Sequence, residues 1–485
     1  MLRRVTFLPV FLILIHYNLA AGSVTMSGEA PGAAGSVTMS GEAPGAAGET
    51  IEVFKYSDLI TDEQETLGYI IPDKDGYFSF EVSIEDREVL FLRYGVYDLF
   101  FHAVQDENYD LILPPFIAMS VADRNNPYFE HIGYQLRAGA RHSLNNEIRD
   151  FDSVYHKVVD LITGDMFYRL QKANYDSLTG ELSRARHITD NEYYNLYTNS
   201  EIFSIKVLSM RKNSLRDSAI EFLDREFDSR NIACARLVKE LFGGSLSQML
   251  SGSNSRELRG YINMASSIPG IKELVGGEYK ITNNELLEYI IVFNLYNEYY
   301  SSSFSKDGIY KLLESLGRDA TYRSVREISQ RIVSKIARLR QGNKPPGFSL
   351  PDEEGKLISP DSLAGKHVIL TFGESSSWQT LSEYSLLKSW HVQYGNDLDI
   401  VTILADKDFQ GGVAKMKSAG FRWILLDGSR SEGLQRLYEV KFFPSFYLLN
   451  REGRIISAPA PFPSENLRNL LLEQLQRDLI ENIRN

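Results

Sequence analysis

A chain of 485 residues is longer than a single hydrophobic core usually organises, and the length predicts roughly three domains. With 43% apolar, 24% charged and 12% aromatic residues, the composition is that of a soluble globular protein. A formal charge of -12 and the lack of any dense Lys/Arg run argue against nucleic acid or an anionic membrane as the main partner.

The first elements in chain order concern address. Arg3 and Arg4 precede an apolar run from Phe7 to Ile15, which ends in the small-residue exit Leu19, Ala20 and Ala21. This is the three-part layout of a secretory signal peptide over residues 1–21, with cleavage expected after Ala21. The apolar run is too short to cross a bilayer, and no later run of apolar residues is long enough either, so no integral membrane span is expected in the mature chain. Periplasm or cell envelope is the expected location. Such a compartment permits disulfides, yet Cys234 is the only cysteine, which rules out an intramolecular one. Cys234 lies in NIACARLVKELF, on a helical stripe with Ile232, Leu237 and Leu241, and reads as a small buried hydrophobe. An exposed, reactive thiol is the alternative.

Residues Gly22 to Ala34, GSVTMSGEAPGAA, recur identically at Gly35 to Ala47. A perfect two-copy repeat is a tandem duplication rather than a solenoid, which needs several longer, diverged copies. The second copy runs into ETIEVFKYSD, so Val37 to Ser40 is read as the first strand of a domain, and 22–36 as a flexible segment. From 37 to 118, short β-rich runs alternate with turn signals: Ile51–Tyr56, Leu67–Ile71, Tyr77–Val82, Val89–Tyr94, Leu99–Val104 and Tyr109–Leu113. Asp73, Asp75 and Gly76 form a hairpin turn in this reading, because the later ligands of a calcium loop are absent. The pattern of an SG-ending strand, IEVFKYSD, DGYFSF and a closing strand with a Pro pair resembles the small β-sandwich modules that precede thioredoxin-like domains in envelope proteins. That resemblance implies docking or spacing rather than catalysis.

Residues 119–341 change character. Prolines thin out, and apolar residues recur at helical spacing, as in Val325, Ile328, Ile332, Val333, Ile336 and Leu339. LLEYIIVFNLYNEYY, from Leu286 to Tyr300, is apolar on most faces and predicts a central buried helix. An all-α domain of about eight to ten helices is expected. Tyr193, Tyr194 and Tyr197, with Tyr289, Tyr296, Tyr299 and Tyr300, pack the helices in one reading and line a groove for peptide or glycan in another. The helical pattern stops at Gly342, Asn343, Pro345, Pro346 and Gly347.

The segment 342–485 carries the most specific signal. PPGFSLPDEEGKLISPDSLAGKHVILTF gives a hairpin and a buried central strand, ESSSWQTLSEY a polar turn and a helix, LDIVTILAD and WILLDG two more strands, and FFPSFYLLNREGRII a closing hairpin. This order resembles the periplasmic thiol-disulfide oxidoreductases of the TlpA/ResA type, within the peroxiredoxin-thioredoxin superfamily, and implies an α/β thioredoxin-like domain. The resemblance places the two cysteines of the redox motif at Ser377 and Thr380, with Trp378 and Gln379 between them. It makes Pro444, after Phe443, the family's cis-proline beside the peptide site, and Glu383 the acidic residue after the second cysteine.

The chemistry does not follow the fold. Disulfide exchange needs a thiolate, and neither Ser377 nor Thr380 has sulfur. A serine nucleophile needs a base in reach, and His367 and His391 are set at the far end of the strand and three turns along the helix. Ser375, Ser376 and Ser377 are read as helix caps. The seven histidines after residue 21 show no HxxxH or HExxH spacing, and no GxxxxGK[ST] or GxGxxG occurs between strand and helix, so no metal and no cofactor are expected. The expected architecture is multidomain: an antiparallel β-sandwich, an all-α domain and a redox-inactive thioredoxin-like domain. The expected function is protein binding or scaffolding, through Trp378 and the Phe442–Phe443–Pro444 loop, with an envelope or secreted protein or peptide as partner and no nucleic acid. Two rivals are an oxidoreductase-related enzyme using a partner's cysteines or Cys234, and peptide or glycan capture by the helical block.

Overall fold

The computed structural model describes residues 23–24, 35–120, 123, 129–138, 143–168, 175–187, 189–208, 213–429 and 431–484. The signal peptide expected over 1–21, and most of the repeat segment 22–36, lie outside the described residues. The chain divides into two compact units, Met1–Arg124 with Glu130–Gly243, and Asn125–Phe129 with Gly244–Asn485.

In the first unit the alternating pattern does what period-2 burial requires. In β5 (Tyr77–Ile84) the residues Phe78, Phe80, Val82 and Ile84 are buried, while Tyr77, Ser79, Glu81 and Ser83 face solvent. With β1 (Ser23–Val24), β2 (Gly35–Glu42), β3 (Ile51–Tyr56), β4 (Gln64–Ile70), β6 (Arg87–Tyr94), β7 (Tyr97–Val104) and β8 (Asn108–Ile112), it builds two sheets, which β9 (Ile132–Gln135) and β10 (Arg137–Ala138) complete. Their orders are β1-β4-β3-β6-β7-β9 and β10-β8-β2-β5. Both inner faces feed one core, from Val37 and Met39 on β2 to Leu90, Leu92 and Phe101 on β6 and β7. The last two strands come from a segment read as helical.

The helices of this unit are α1 (Ser143–Tyr168), α2 (Tyr175–Ala185), α3 (Glu192–Leu208), α4 (Asn213–Glu226) and α5 (Ile232–Phe242). Asn145 ties α1 to β7: its Oδ1 accepts the His102 N–H at 2.7 Å and its Nδ2 donates to the His102 carbonyl at 2.9 Å. A local core of Ile148, Phe151 and Tyr155 from α1 meets Tyr193, Tyr194 and Tyr197 from α3. The first tyrosine cluster therefore packs helices.

In the second unit a helical run leads into an α/β layer. The helices are α6 (Ser245–Met249), α7 (Ser255–Gly260), α8 (Ile268–Tyr279), α9 (Asn284–Tyr299), α10 (Lys306–Asp319) and α11 (Arg323–Arg338). The apolar run is α9, capped by Asn283 Oδ1 and buried continuously from Leu286 to Leu295. The Gly/Pro break that ends the helices lies inside this unit. The Gly342 N–H donates to the Ile455 carbonyl at 2.8 Å, and the Ile455 N–H donates to the Asn343 carbonyl at 2.9 Å.

The α/β layer follows the order the resemblance implies: a hairpin of β11 (Leu350–Pro351) and β12 (Leu357–Ile358), then β13 (His367–Gly373), α12 (Trp378–Tyr394), β14 (Leu398–Leu404), α13 (Phe409–Ser418), β15 (Ile424–Asp427), α14 (Glu432–Leu437), β16 (Ser445–Leu449), β17 (Ile455–Ala460) and α15 (Leu467–Arg484). The sheet order is β15-β14-β13-β16-β17, with β13, β14 and β15 parallel and the last two strands antiparallel. Every residue of β13 is buried, because helices or loops cover both faces. Ile369 and Tyr384 belong to one core with α12, α13 and α15, while Val368, Leu370 and Phe372 belong to the opposite one with Tyr438 and Tyr447.

Candidate functional site

Chains of this topology present ligand sites at the carboxyl ends of the parallel strands. Here that end holds the turn after β13, the loop after β14 and the loop before β16. Ser377 ends the turn as the N-cap of α12, its side chain accepting the Thr380 N–H at 3.2 Å. Ser375 does not cap. Its Oγ donates to Asp406 Oδ1 at 2.5 Å and its N–H donates to Asp406 Oδ2 at 2.9 Å, which pins the turn to the end of β14. Glu374, half-buried beside Asp406, has its carboxyl raised above the usual range, first by desolvation and then by the neighbouring carboxylate.

The four redox-motif positions differ in exposure. Trp378 is 80% exposed, Gln379 is exposed, Ser377 is intermediate and Thr380 is fully buried. Thr380 Oγ1 has no hydrogen-bond partner among the described residues, which is costly for a buried hydroxyl. Across the sheet, Phe372 on β13 pairs with Ser445 on β16, so the Phe443–Pro444 segment enters β16 beside the turn. The Phe443–Pro444 peptide is cis. Pro444 is buried and Phe443 partly so, while Phe442 is 39% exposed and its ring lies 5.9 Å from that of Phe462. Among the described residues of 342–485, Trp378 and Phe442 are the exposed aromatic side chains.

Glu383 is a structural anchor. Nearly buried on α12, it accepts the Ser464 N–H at 3.0 Å and the Ser464 O–H at 2.7 Å, fastening the helix to the segment before α15. Glu383→Ala is expected to cost about 1–3 kcal/mol, since two hydrogen bonds from the exposed Ser464 to a buried carboxylate are lost. Urea denaturation followed by tryptophan fluorescence checks this, because Trp378, Trp390 and Trp423 all belong to the second unit.

The two candidate bases, His367 and His391, stay apart from Ser377. His367 is buried at the opposite end of β13, with Nε2 at 2.8 Å from Asp478 Oδ2. His391 stacks edge-on to Trp423 further along α12. No group of three or more His, Cys, Asp or Glu is placed to hold a metal ion among the described residues. Cys234 is fully buried on α5, its backbone N–H donating to Asn231 Oδ1, and burial pushes its thiol up to about 12. At neutral pH it is a thiol rather than a nucleophilic thiolate.

No family model and no curated protein matches the chain. Solved structures do resemble it. They include the thioredoxin domain of a thiol-disulfide oxidoreductase from Bacteroides vulgatus, at 21% identity over 28% of this chain and 97% of that one, with a TM-score of 0.25. A thiol-disulfide oxidoreductase from Bacteroides fragilis is 21% identical over 26% of this chain and 97% of its own, with a TM-score of 0.24. A thioredoxin-like protein from Bacteroides caccae reaches 49% of this chain and 94% of its own at 14% identity and a TM-score of 0.33. The strand order and the turn geometry carry the thioredoxin-like assignment on their own.

Sequence reasoning missed Glu374, Asp406 and Ser464. An acidic residue just beyond the carboxyl end of a central parallel strand is a usable signal for Asp406. The pairing of Ser375 with Asp406, by contrast, exists only once β13 and β14 are adjacent. Of the second tyrosine cluster, Tyr289 is buried, whereas Tyr300 is 56% exposed and meets Tyr296 and Tyr299 edge-on.

Proposed function

We propose that the thioredoxin-like layer binds an extended polypeptide and does not exchange disulfides, in a protein exported to the periplasm or cell envelope by its leader. The observation that supports this is the placement of the exposed Trp378 and Phe442 at one end of one sheet. Large aromatic anchors bury area at low entropic cost, and a loop backbone beside them supplies hydrogen bonds in the manner of strand addition. The Ser377 hydroxyl is engaged as a helix cap and the only thiol is buried and protonated, so the bound chain meets no nucleophile.

The test is binding of the purified protein to an array of short peptides with apolar residues at alternate positions. Trp378→Ala and Phe442→Ala are each expected to weaken the captured peptides about tenfold or more, as truncated anchors do. Tyr300→Ala, on an exposed residue of the helical run, is expected to leave them unchanged. Equal loss in all three variants, or loss only in Tyr300→Ala, contradicts the reading.

A further inference from the structure

The tandem repeat is described in full at its second copy, Gly35 to Ala47. This copy fills a slot in the middle of the four-stranded sheet, where β2 pairs antiparallel with β5 over eight residues and parallel with β8 over five. Val37, Met39, Ala43 and Ala46 are all fully buried there. The slot also requires glycine: a Cβ on Gly41 would lie 2.3 Å from the Leu111 carbonyl oxygen, and Gly45 has φ +81. The turn that follows is fixed through its backbone, the Ala43 N–H donating to the Gly76 carbonyl at 2.8 Å and the Phe116 N–H to the Pro44 carbonyl at 2.9 Å.

Every one of these demands is met by the first copy, because it has the same sequence. Val24, Met26, Gly28, Ala30, Pro31, Gly32 and Ala33 stand where Val37, Met39, Gly41, Ala43, Pro44, Gly45 and Ala46 do, and Gly35 follows the first copy as Gly48 follows the second. In the structure the start of the first copy makes a different and smaller contact, Ser23 and Val24 pairing with Ile70 and Tyr69 on β4. We propose that the two copies are alternative occupants of the β2 slot within one chain, so that the β-sandwich can shift by one repeat and keep its core.

The shift gives up the two-residue pairing of Ser23 and Val24 with β4 and changes one loop. With the first copy seated, residues 35–47 join the exposed turn that leads to β3, which lengthens a loop of about three residues to about sixteen. Each doubling of a loop is a small entropic cost, and just over two doublings disfavour the shifted form roughly tenfold. The second copy is therefore the main occupant and the first a reserve, which makes the strand tolerant of damage and frees residues 35–47 in a minor population.

Point variants separate the copies, whereas deletion of either copy yields the same chain. In the full-length protein, Met26→Asp is expected to leave the unfolding midpoint of the first unit unchanged. Met39→Asp is expected to lower its folding constant only about tenfold, because the first copy takes the slot. Met26→Asp/Met39→Asp is expected to abolish cooperative folding of the β-sandwich, since both occupants now bury a carboxylate. Alkylation gives a direct readout, with Cys234 buried and silent: Met26→Cys is expected to react at least tenfold more slowly when combined with Met39→Asp than alone. A Met39→Asp variant as damaged as the double variant overturns the proposal. So does rescue that depends on protein concentration, which would mean the strand comes from a second copy of the chain.

Discussion

A Ser377→Cys/Thr380→Cys variant is expected to form a disulfide between the new residues and to gain thiol-disulfide exchange activity. The two positions are the N-cap and third residue of α12, with the Ser377 side chain 3.2 Å from the Thr380 N–H. A bridge needs Cα atoms within about 4.4–6.8 Å, which one helical turn at an N-terminus provides. The asymmetry of the site also suits the chemistry. Position 377 is partly exposed and sits at the positive end of α12, which lowers a thiol pKa, while position 380 is buried. The substitution at 380 also replaces a buried, unpartnered hydroxyl with a weaker hydrogen-bonding group. Mass spectrometry with and without reductant, followed by a protein-disulfide reduction assay, measures both steps. Cysteines that stay reduced under an oxidant would show that the turn has lost the geometry as well as the sulfur.

The second large effect concerns pH in the first unit. Asp152 on α1 accepts a bond from the Tyr197 hydroxyl, at 3.1 Å to each carboxylate oxygen, and is buried. Desolvation, then the charge of Glu201, pushes it up to about 7 against the pull of Tyr197 and Arg236. Its folded form therefore holds a proton between pH 3.8 and about 7 that the unfolded chain has released, and stability falls as pH rises through that window. Asp152→Asn keeps an acceptor for Tyr197 and removes this loss. It is expected to stabilise the first unit by about 2–4 kcal/mol at pH 8 and by little near pH 4.

His102 opposes Asp152. It is fully buried on β7 with the Tyr193 hydroxyl 3.2 Å from Nδ1, and desolvation, aided by Arg87, lowers it to about 4. The unfolded chain takes up a proton below pH 6.5 that the folded chain refuses until about 4, so stability drops on acidification across that range. The two slopes nearly offset each other in the natural protein. In Asp152→Asn the His102 slope is no longer offset by Asp152, and a loss of about 3 kcal/mol from His102 between pH 6.5 and pH 4 is expected. Hydrogen exchange of α1 amides reports on this unit, which has no tryptophan. Parallel pH profiles for the two proteins would contradict the assignment.

What the sequence revealed, and what it hid, follows from how local each feature is. The strands from Ile51–Tyr56 to Tyr109–Leu113 were legible because alternation and turns are local, and their counterparts differ by only a few residues at the ends. β9 and β10 were not, because IGYQLRA has no clear alternation and is held as strand by pairing with β7 and β8. Ser377 as a cap was legible from the polar turn before an apolar helix. Asp406 at Ser375, and Glu383 at Ser464, join residues far apart in the chain and needed the fold. The Gly/Pro break at 342–347 marks the end of the helices, as read, but its backbone is hydrogen-bonded to β17, an arrangement composition cannot convey. Tyr193, Tyr194 and Tyr197 were open to two readings, and their burial against α1 decides for packing.

The most direct test of a thioredoxin-like layer working without thiol chemistry is the disulfide reductase activity of the purified protein, measured beside its Cys234→Ser variant. Both are predicted to show no turnover above buffer, because Ser377 and Thr380 have no sulfur and the Cys234 thiol is buried and protonated. Reductase activity in the natural protein that survives Cys234→Ser would contradict the account.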